Sequence, residues 1–294
     1  MKSLSLSTSF LIGFVFAISA STKLFSIDYF EQFLYSFEIL NLKLAIVLAR
    51  LIIAVEYIIA LGYFFRLFIK PLSLFTFILL ITFTILLFYF EITNTVDDCH
   101  CFGAYLQLTN IQSIIKNILL LLLIIWNRNA PNTTKSISLK STLIILFSIT
   151  LSFSIHFPDV LIGRKIKHDF CTPCLTNFLK QEKLTDKKLV IFFLSNKCKY
   201  CQLAAKKISV IAKKTKSNEQ FLYVLWDSNH NAQLFFDETK TIPLHSIELE
   251  MLHFLELTKG QMPLILLYNK GKIEHTYRYK DIKEQEIKDF INNK

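Results

Sequence analysis

The chain is 294 residues long, with 52% hydrophobic residues, only 19% charged residues and a formal net charge of +10. This composition excludes an ordinary soluble enzyme and a disordered tail. With 6 Gly in the whole chain, neither a GxGxxG loop nor a GxxxxGK[ST] loop occurs. The chain therefore lacks the usual sequence signatures of dinucleotide-binding and nucleoside triphosphate-binding proteins.

The charge is distributed unevenly between two halves of the chain. Residues 1–157 carry 10 Lys and Arg with 7 Asp and Glu, whereas residues 158–294 carry 23 with 16. The first half is nearly uncharged for its length, and the second has the charge density of a water-soluble domain. Nucleic-acid binding is not predicted, because no basic stripe interleaved with exposed aromatic residues stands out. The basic excess favours attraction to an anionic membrane surface.

Five apolar stretches in the first half are candidates to cross a bilayer, which takes about 17–25 residues each. They lie at about residues 7–25, 43–65, 72–91, 111–127 and 141–157. The positive-inside rule assigns the loops with Lys and Arg to the cytoplasm. These loops hold Lys2, Arg66, Lys70, Arg128, Lys135 and Lys140. Everything after residue 157 is then extracytoplasmic, whether or not residues 1–20 are a cleaved signal peptide.

Three charged residues, Lys23, Arg50 and Glu56, fall within the predicted spans. A charge in hydrocarbon is costly unless it is paired or hydrated. Lys23 and Arg50 are expected to snorkel to the interface. Glu56 is deeper, and we expect it to pair with Arg50, with Lys23 or with a bound polar headgroup.

The six cysteines form three close pairs. These are Cys99 with Cys101, Cys171 with Cys174, and Cys198 with Cys201. On the predicted topology all three pairs lie on the extracytoplasmic side, where disulfides persist. The sequence therefore indicates disulfide chemistry outside the cytoplasm.

The third pair has the most informative surroundings. It follows an apolar run at 189–194 that predicts a buried strand, and it precedes a predicted helix over 202–214. A helix N-terminus favours the thiolate form of a cysteine, and Lys197 and Lys199 add positive charge beside it. Because thiolate is the attacking species in thiol–disulfide exchange, we predict Cys198 as the nucleophile and Cys201 as the resolving thiol.

The residues after this pair predict an alternation of helices and strands. Strands are expected at 221–226, 264–268 and 273–279, and helices at about 245–258 and 283–292. This order resembles the thioredoxin superfamily, in which a proline before the third core strand is cis and faces the CxxC motif. Pro263 matches that position. Lys199 and Tyr200 replace the usual Gly-Pro between the cysteines, which leaves the redox direction open.

The first pair lies in the sequence Asp98-Cys99-His100-Cys101-Phe102-Gly103. This CxCFG motif resembles the MauE membrane proteins of methylamine utilisation, which are related to DoxX-like proteins, and the resemblance covers about residues 5–127. Further matches are Thr22-Lys23-Leu24, Arg50 with Glu56, and Lys116-Asn117. In the methylamine system this family acts beside a thioredoxin-like partner, MauD, in maturation of a disulfide-rich enzyme subunit. The resemblance implies that a MauE-like membrane domain and a thioredoxin-like domain are fused in this chain.

The predicted fold is an N-terminal all-α transmembrane helical bundle followed by an α/β thioredoxin-like domain. Residues 1–130 form the four helices of a MauE/DoxX-like domain. Residues 131–180 form a connecting transmembrane helix and a CxxC linker, and residues 181–294 form the thioredoxin-like domain.

Two interpretations of the second pair, Cys171 and Cys174, stay open: a redox relay or a structural disulfide. A third treats the last four cysteines as a zinc site, but the setting of Cys198 and Cys201 explains that pair without metal. For Cys99 and Cys101 the alternative is an inert loop disulfide.

The predicted function is that of a membrane-bound thiol–disulfide oxidoreductase in the bacterial inner membrane. Thiols of extracytoplasmic client proteins reduce Cys198–Cys201, and the electrons pass to Cys99–Cys101, either directly or through Cys171–Cys174. The terminal acceptor is left open by the sequence, and a membrane quinone is one candidate. The lipid bilayer is the other expected partner, and no metal is predicted. The alternatives are an extracytoplasmic disulfide reductase of the cytochrome c maturation type and a non-enzymatic, zinc-binding assembly factor.

Overall fold

The computed structural model describes residues 2–93, 102–103, 108–127, 139–155, 169–226 and 232–293, with side chains from residue 6 onward. The predicted Cys99–Cys101 pair lies outside these residues. The chain divides into two compact units. The first comprises Met1–Leu34 and Ile46–Phe157, and the second comprises Tyr35–Ala45 and Pro158–Lys294.

The first unit is helical. Its helices are α1 (Lys2–Phe25), α2 (Ile27–Tyr35), α3 (Leu42–Phe64), α4 (Ile69–Thr93), α5 (Asn110–Asn127) and α6 (Leu139–Ser154), of which α2 and α3 extend into the second unit. Among the described residues, four segments are long and apolar enough to cross a membrane: Leu6–Phe25, α3, α4 and α5. They match four of the five predicted spans. The fifth corresponds to α6, an apolar helix of 16 residues, which is shorter than the usual span of about 17–25.

The outward face of α4 carries large apolar side chains. Leu74, Phe75, Ile78, Ile85 and Phe88 are all exposed. In water such a surface is unfavourable, whereas lipid tails solvate it and the helix satisfies its own backbone hydrogen bonds. The pattern is that of a helix facing lipid.

Small and polar residues hold the inner faces of these helices together. Gly13 lets α1 approach α3 closely, because a Cβ atom there would lie 2.9 Å from the carbonyl oxygen of Ala60. The Asn127 amide donates a hydrogen bond to Ser9 Oγ at 2.8 Å, which joins α5 to α1. Such contacts replace the hydrophobic effect as the source of helix association in lipid.

The second unit is built on a mixed five-stranded sheet. Its strands are β1 (Lys188–Ser195), β2 (Phe221–Trp226), β3 (His245–Glu248), β4 (Leu264–Asn269) and β5 (Lys272–Tyr277), in the order β3-β2-β1-β4-β5. β1, β2 and β3 are parallel, whereas β4 is antiparallel to β1 and β5 is antiparallel to β4. The helices are α7 (Thr172–Gln181), α8 (Lys199–Thr215), α9 (Ala232–Thr239), α10 (Met251–Thr258) and α11 (Glu284–Asn292).

The central strands are apolar along almost their whole length. Leu189–Ser195 of β1 and Leu264–Tyr268 of β4 are buried. A strand covered on both faces shows this continuous apolar run instead of an alternating pattern. The edge strand β5 instead exposes charged residues such as Lys272 and Glu274. The burial pattern explains why the inner strands were predictable from sequence.

The prediction of a single helix over 245–258 was wrong in its first part. Residues His245–Glu248 form β3, which pairs in parallel with Leu222–Leu225 of β2, and α10 begins only at Met251. The free edge of β2 offers backbone hydrogen bonds that override the weak local preference of a four-residue segment.

The predicted CxxC linker contains a helix that was not anticipated. α7 buries Leu175, Phe178 and Leu179 in the same core as Phe193 and Leu264. The spacing of its apolar residues at i, i+3 and i+4 is typical of an amphipathic helix. The described part of the linker, from residue 169 onward, therefore belongs to the compact second unit.

Candidate functional site

Cys198 is the N-cap residue of α8, immediately beyond the end of β1. Its backbone is extended, with φ −96° and ψ 111°, and its Sγ accepts a hydrogen bond from the backbone N–H of Cys201 at 3.3 Å. Its carbonyl oxygen accepts further bonds from the N–H groups of Cys201 and Gln202, at 2.9 and 3.1 Å. The sulfur thus takes the place that a Ser or Asp oxygen usually has at a helix N-terminus.

The two cysteines of this pair have opposite environments. Cys198 is half-buried, whereas Cys201 is 0% exposed, and both are free thiols in the structure. The side-chain hydrogen bond from Cys201, aided by backbone N–H groups of Cys201 and Tyr200, outweighs partial burial and lowers the pKa of Cys198 to about 6. Burial, and then the hydrogen bond to Cys198, raise the pKa of Cys201. One sulfur is therefore prepared as thiolate and the other as thiol.

Pro263 lies at the same edge of the sheet as Cys198. It directly precedes β4, whose Leu264 pairs with Phe193 near the end of β1. The Met262–Pro263 peptide bond is cis, as predicted.

The contribution of the lysines beside the motif to the thiolate stays a prediction. Lys197 and Lys199 are exposed, and the groups that lower the pKa of Cys198 belong to Cys201 and Tyr200. Solvent screens an exposed charge, so we expect the contacts from Cys201 and Tyr200 to contribute more than these lysines.

Two aromatic residues next to the motif were missed by sequence reasoning. The ring of Tyr200, which lies between the cysteines, is 5.3 Å from the ring of Tyr279. Lys207 Nζ lies 3.7 Å from the centre of the Tyr279 ring. The position of Tyr200 inside the CxxC motif was a signal, but its partner lies 79 residues away in sequence. Only the fold brings them together.

The second pair, Cys171 and Cys174, forms a disulfide. Cys171 is the N-cap residue of α7, so this pair also begins a helix. Across the described ranges no group of three or more His, Cys, Asp and Glu side chains is arranged to hold a metal ion. The zinc alternative would need Cys171 and Cys174 as thiolates, which a disulfide cannot supply.

A second cluster of polar groups lies among the apolar helices of the first unit. Lys23 of α1 forms an ion pair with Glu56 of α3, and Lys23 Nζ also donates to Ser19 Oγ at 3.0 Å. Lys23 and Glu56 are only 5% and 8% exposed. Glu56 thus pairs with Lys23, one of the predicted partners, and Lys23 does not snorkel.

Arg50 is also buried, at 1% exposure, and it pairs with Glu31 of α2. The predicted alternatives, snorkelling or pairing with Glu56, were wrong for this residue. Glu31 could not be identified from the pattern because α2 lies between the predicted spans. The two pairs neutralise four charges inside a lipid-facing bundle, where a single charge would be costly.

The end of the CxCFG motif packs against α1 close to this cluster. Gly103 has φ +62°, and a Cβ atom there would lie 2.0 Å from Ser26 Oγ and 2.6 Å from the carbonyl oxygen of Thr22. Only glycine fits both constraints. Phe102 is buried, and Lys116 of α5 lies with Nζ 4.8 Å from the centre of its ring. The residues immediately after Cys101 are therefore held beside the buried charges.

The Lys23–Glu56 pair generates a stability prediction. Glu56→Ala leaves the Lys23 ammonium buried without its carboxylate, so we expect the free energy of unfolding to fall by about 3–5 kcal/mol. Denaturant titration of the full-length protein in detergent micelles measures the change. A Lys23→Met/Glu56→Leu double variant should recover most of the loss, because neither charge is then buried.

Asp169→Ala is the matched control for this experiment. It breaks the exposed Lys259–Asp169 pair, whose atoms are 3.0 Å apart, and should cost about 1 kcal/mol or less. An equal cost for Glu56→Ala and Asp169→Ala would contradict the structural importance of the buried pair.

The thiol pair generates a prediction about pH. Because its pKa is about 6, Cys198 should be alkylated by iodoacetamide at a rate that rises through pH 6 and levels off by about pH 8. An ordinary cysteine reaches half its maximal rate only at about pH 8.5. The denatured chain serves as the reference, because Cys198 should there show a midpoint near this ordinary value. Quantifying each alkylated peptide of the reduced protein measures the rate.

Cys201→Ala tests the cause of this shift, since it removes the largest contribution and should move the midpoint of Cys198 to higher pH. Cys201 itself should stay unreactive in the wild type because it is buried. A wild-type midpoint near pH 8.5 would show that neither the Cys201 side chain nor the helix N-terminus stabilises the thiolate.

The family model described as methylamine utilisation protein MauE matches residues 1–128. No curated protein matches the chain, and no solved structure does. The match covers α1 to α5, including the four membrane-length helices, both buried ion pairs and the Phe102-Gly103 segment. Residues 1–128 therefore form a MauE-like domain of a multi-pass membrane protein.

Proposed function

We propose that the protein is a membrane thiol–disulfide oxidoreductase whose second unit has a thioredoxin-like fold. The observation that carries the proposal is Cys198 at the N-cap of α8, half-buried and with a pKa of about 6, beside the buried thiol Cys201. The strand order β3-β2-β1-β4-β5 and the position of Pro263 before β4 support the fold assignment. A low pKa at a half-buried cysteine is typical of exchange catalysts.

The exchange reaction starts from the oxidised Cys198–Cys201 pair. A thiolate of the client attacks Cys198 Sγ, the bond between the two sulfurs breaks, and Cys201 takes up the electron pair and a proton. The second client thiolate then attacks the mixed disulfide and releases Cys198 as thiolate. The client has gained a disulfide, and the pair has gained two electrons.

The Cys99–Cys101 pair is the proposed next acceptor. Support comes from the rigid packing of Phe102-Gly103 against α1, which fixes the chain directly after Cys101. The same exchange steps reoxidise Cys198–Cys201 and reduce Cys99–Cys101. Fusion of the two sites in one chain raises the concentration of one around the other.

A membrane quinone is the proposed terminal acceptor, which two electrons and two protons convert into quinol. Its support is indirect. No cysteine lies in a predicted span or cytoplasmic loop of the sequence, so a thiol relay through the bilayer lacks the residues it needs. A lipid-soluble acceptor within the membrane avoids that crossing.

We place the second unit on the extracytoplasmic side of a bacterial inner membrane. The positive-inside assignment requires α6 to complete a fifth crossing together with the residues that follow it. The compact second unit also includes Tyr35–Ala45. The same assignment puts residues 26–42, between the first two predicted spans, outside the cytoplasm. The compartment favours stable disulfides.

The MauE description links residues 1–128 to methylamine utilisation. We extend to this chain a role in the maturation of a disulfide-containing partner protein. The family description does not identify that partner. The competing roles are a disulfide reductase and a zinc-binding assembly factor. A reduced Cys198–Cys201 pair in cells would favour the reductase, and stoichiometric zinc with activity that survives Cys198→Ser would favour the assembly factor.

The test is to mix intact cells rapidly with a membrane-impermeant maleimide, without prior acid treatment. The labelled fraction of each cysteine is then quantified. In the wild type, Cys198 and Cys201 should be mostly oxidised and therefore unlabelled. In Cys99→Ser, or when respiration is blocked, at least about half of Cys198 should become reduced and labelled from outside, because its electrons no longer leave. A Ser36→Ala variant serves as a control that leaves every cysteine in place.

Two results would contradict the proposal. If Cys198 is reduced in the wild type and indifferent to Cys99, a reductase supplied from elsewhere is the better account. If reduced Cys198 is labelled only after the cells are permeabilised, the second unit lies in the cytoplasm.

A further inference from the structure

The two CxxC pairs of the second unit share one geometry. Cys171 Sγ accepts a hydrogen bond from Cys174 N–H at 3.3 Å, just as Cys198 Sγ accepts one from Cys201 N–H at 3.3 Å. In both pairs the first cysteine is the N-cap residue of a helix, with extended backbone. The helix N-terminus that favours thiolate at Cys198 is therefore present at Cys171 as well.

The surroundings of the Cys171–Cys174 disulfide favour exchange over a structural role. Both cysteines are partly accessible to solvent, so another thiol can approach. The disulfide joins residues three apart, and such a short loop constrains the unfolded chain less than a long-range disulfide does. The helix it begins is already anchored by buried Leu175, Phe178 and Leu179.

α10 fixes the position of this pair. The backbone N–H of Cys171 donates to the carbonyl oxygen of Leu257 at 3.0 Å. On the same helix, Glu256 Oε1 lies 3.7 Å from Cys174 Sγ. A disulfide sulfur carries no hydrogen, but once the pair is reduced the Cys174 thiol is within reach of this carboxylate. The second cysteine of the pair thus has a base beside it, and the first has the helix N-terminus.

The other charged and titratable groups at this junction do not replace Glu256. Asp169 and Lys259 pair with each other across the start of α7 and the end of α10, at 3.0 Å. The ring of His253 packs edge-on against Phe178 at 6.1 Å. Glu256 is the carboxylate that the structure places against the sulfur.

We propose that Cys171–Cys174 is a second thiol–disulfide exchange site, with Cys171 as nucleophile, Cys174 as resolving cysteine and Glu256 as the base that takes the Cys174 proton. This inference rests on the proposed oxidoreductase function and assigns the roles within its second pair. The substrates are protein dithiols and disulfides, of which Cys198–Cys201 is one candidate.

Reoxidation of the reduced pair by a disulfide balances as follows. The Cys171 thiolate attacks one sulfur of the oxidant, whose disulfide bond breaks and releases one thiolate. The Cys174 thiol gives its proton to Glu256, and its sulfur attacks Cys171 Sγ in the mixed disulfide. The second thiolate of the oxidant leaves, so two electrons have passed to the oxidant. Reduction of the pair by a dithiol runs through the same steps in reverse.

The experiment uses the full-length protein with Cys99→Ser, Cys101→Ser, Cys198→Ser and Cys201→Ser, so that the second pair reacts alone. The protein is reduced with dithiothreitol, mixed with oxidised glutathione and quenched with an alkylating reagent at intervals. Mass spectrometry then follows the peptide that carries glutathione on Cys171. At pH 7 this mixed disulfide should persist at least about tenfold longer in Glu256→Gln, because the resolving step has lost its base.

Two further variants test whether Glu256 acts as a base or only supports the local structure. Glu256→Asp keeps a carboxylate and should retain most of the rate. Glu250→Gln removes the same charge from the exposed residue that precedes α10 and should leave the rate unchanged. Near pH 10 the effect of Glu256→Gln should disappear, since Cys174 then ionises without help.

A disulfide that resists dithiothreitol in the folded protein would overturn the proposal and show a structural bond. Equal lifetimes in Glu256→Gln and Glu250→Gln at every pH would overturn the role of Glu256. Glutathione replaces both client and membrane domain in this assay. A failure of the cellular electron route therefore leaves these rates unchanged, so the two failures are distinguishable.

Discussion

The hydrogen bonds that Cys198 Sγ receives at the start of α8 are the interactions on which the proposed chemistry depends. The Cys201 side chain contributes most and the backbone N–H groups of Cys201 and Tyr200 add to it, which lowers the pKa of Cys198 to about 6. The sheet sets up these interactions, because β1 ends just before Cys198 and α8 starts just after it. The buried Cys201 completes the asymmetry that an exchange reaction requires. Without the strand–helix junction, the same two cysteines would be ordinary thiols.

The membrane domain is governed by a different constraint, the cost of charge in hydrocarbon. The Lys23–Glu56 and Arg50–Glu31 pairs meet it by mutual neutralisation between helices. A buried ion pair seldom stabilises a fold more than apolar residues of similar size would. The presence of these pairs therefore indicates that they serve a role other than stabilising the helix packing. The close fit of Gly103 against Thr22 and Ser26 links this polar region to the CxCFG motif. The charges and the end of the motif, Phe102-Gly103, thus belong to one local structure.

The sequence was a good guide wherever one physical signal dominated. Continuous apolar runs predicted the four membrane-length helices and the buried strands β1 and β4. The strand–CxxC–helix order predicted Cys198 at a helix N-terminus. Prediction failed where long-range contacts decide, as at His245–Glu248, where pairing with β2 replaced the expected helix. The partners Glu31 and Glu256 were missed for the same reason, since each meets its target only after the helices pack.

The central claim is that Cys198 exchanges disulfides with other cysteines of its own chain, ending at Cys99–Cys101. The most direct measurement is a disulfide map of the purified full-length Cys201→Ser variant, which cannot resolve a mixed disulfide at Cys198. The account predicts a cross-linked peptide that joins Cys198 to Cys99, Cys101, Cys171 or Cys174, and its loss in Cys99→Ser/Cys101→Ser/Cys171→Ser/Cys174→Ser. Cys198 that stays a free thiol, or that is linked only to small thiols, would contradict an internal electron route.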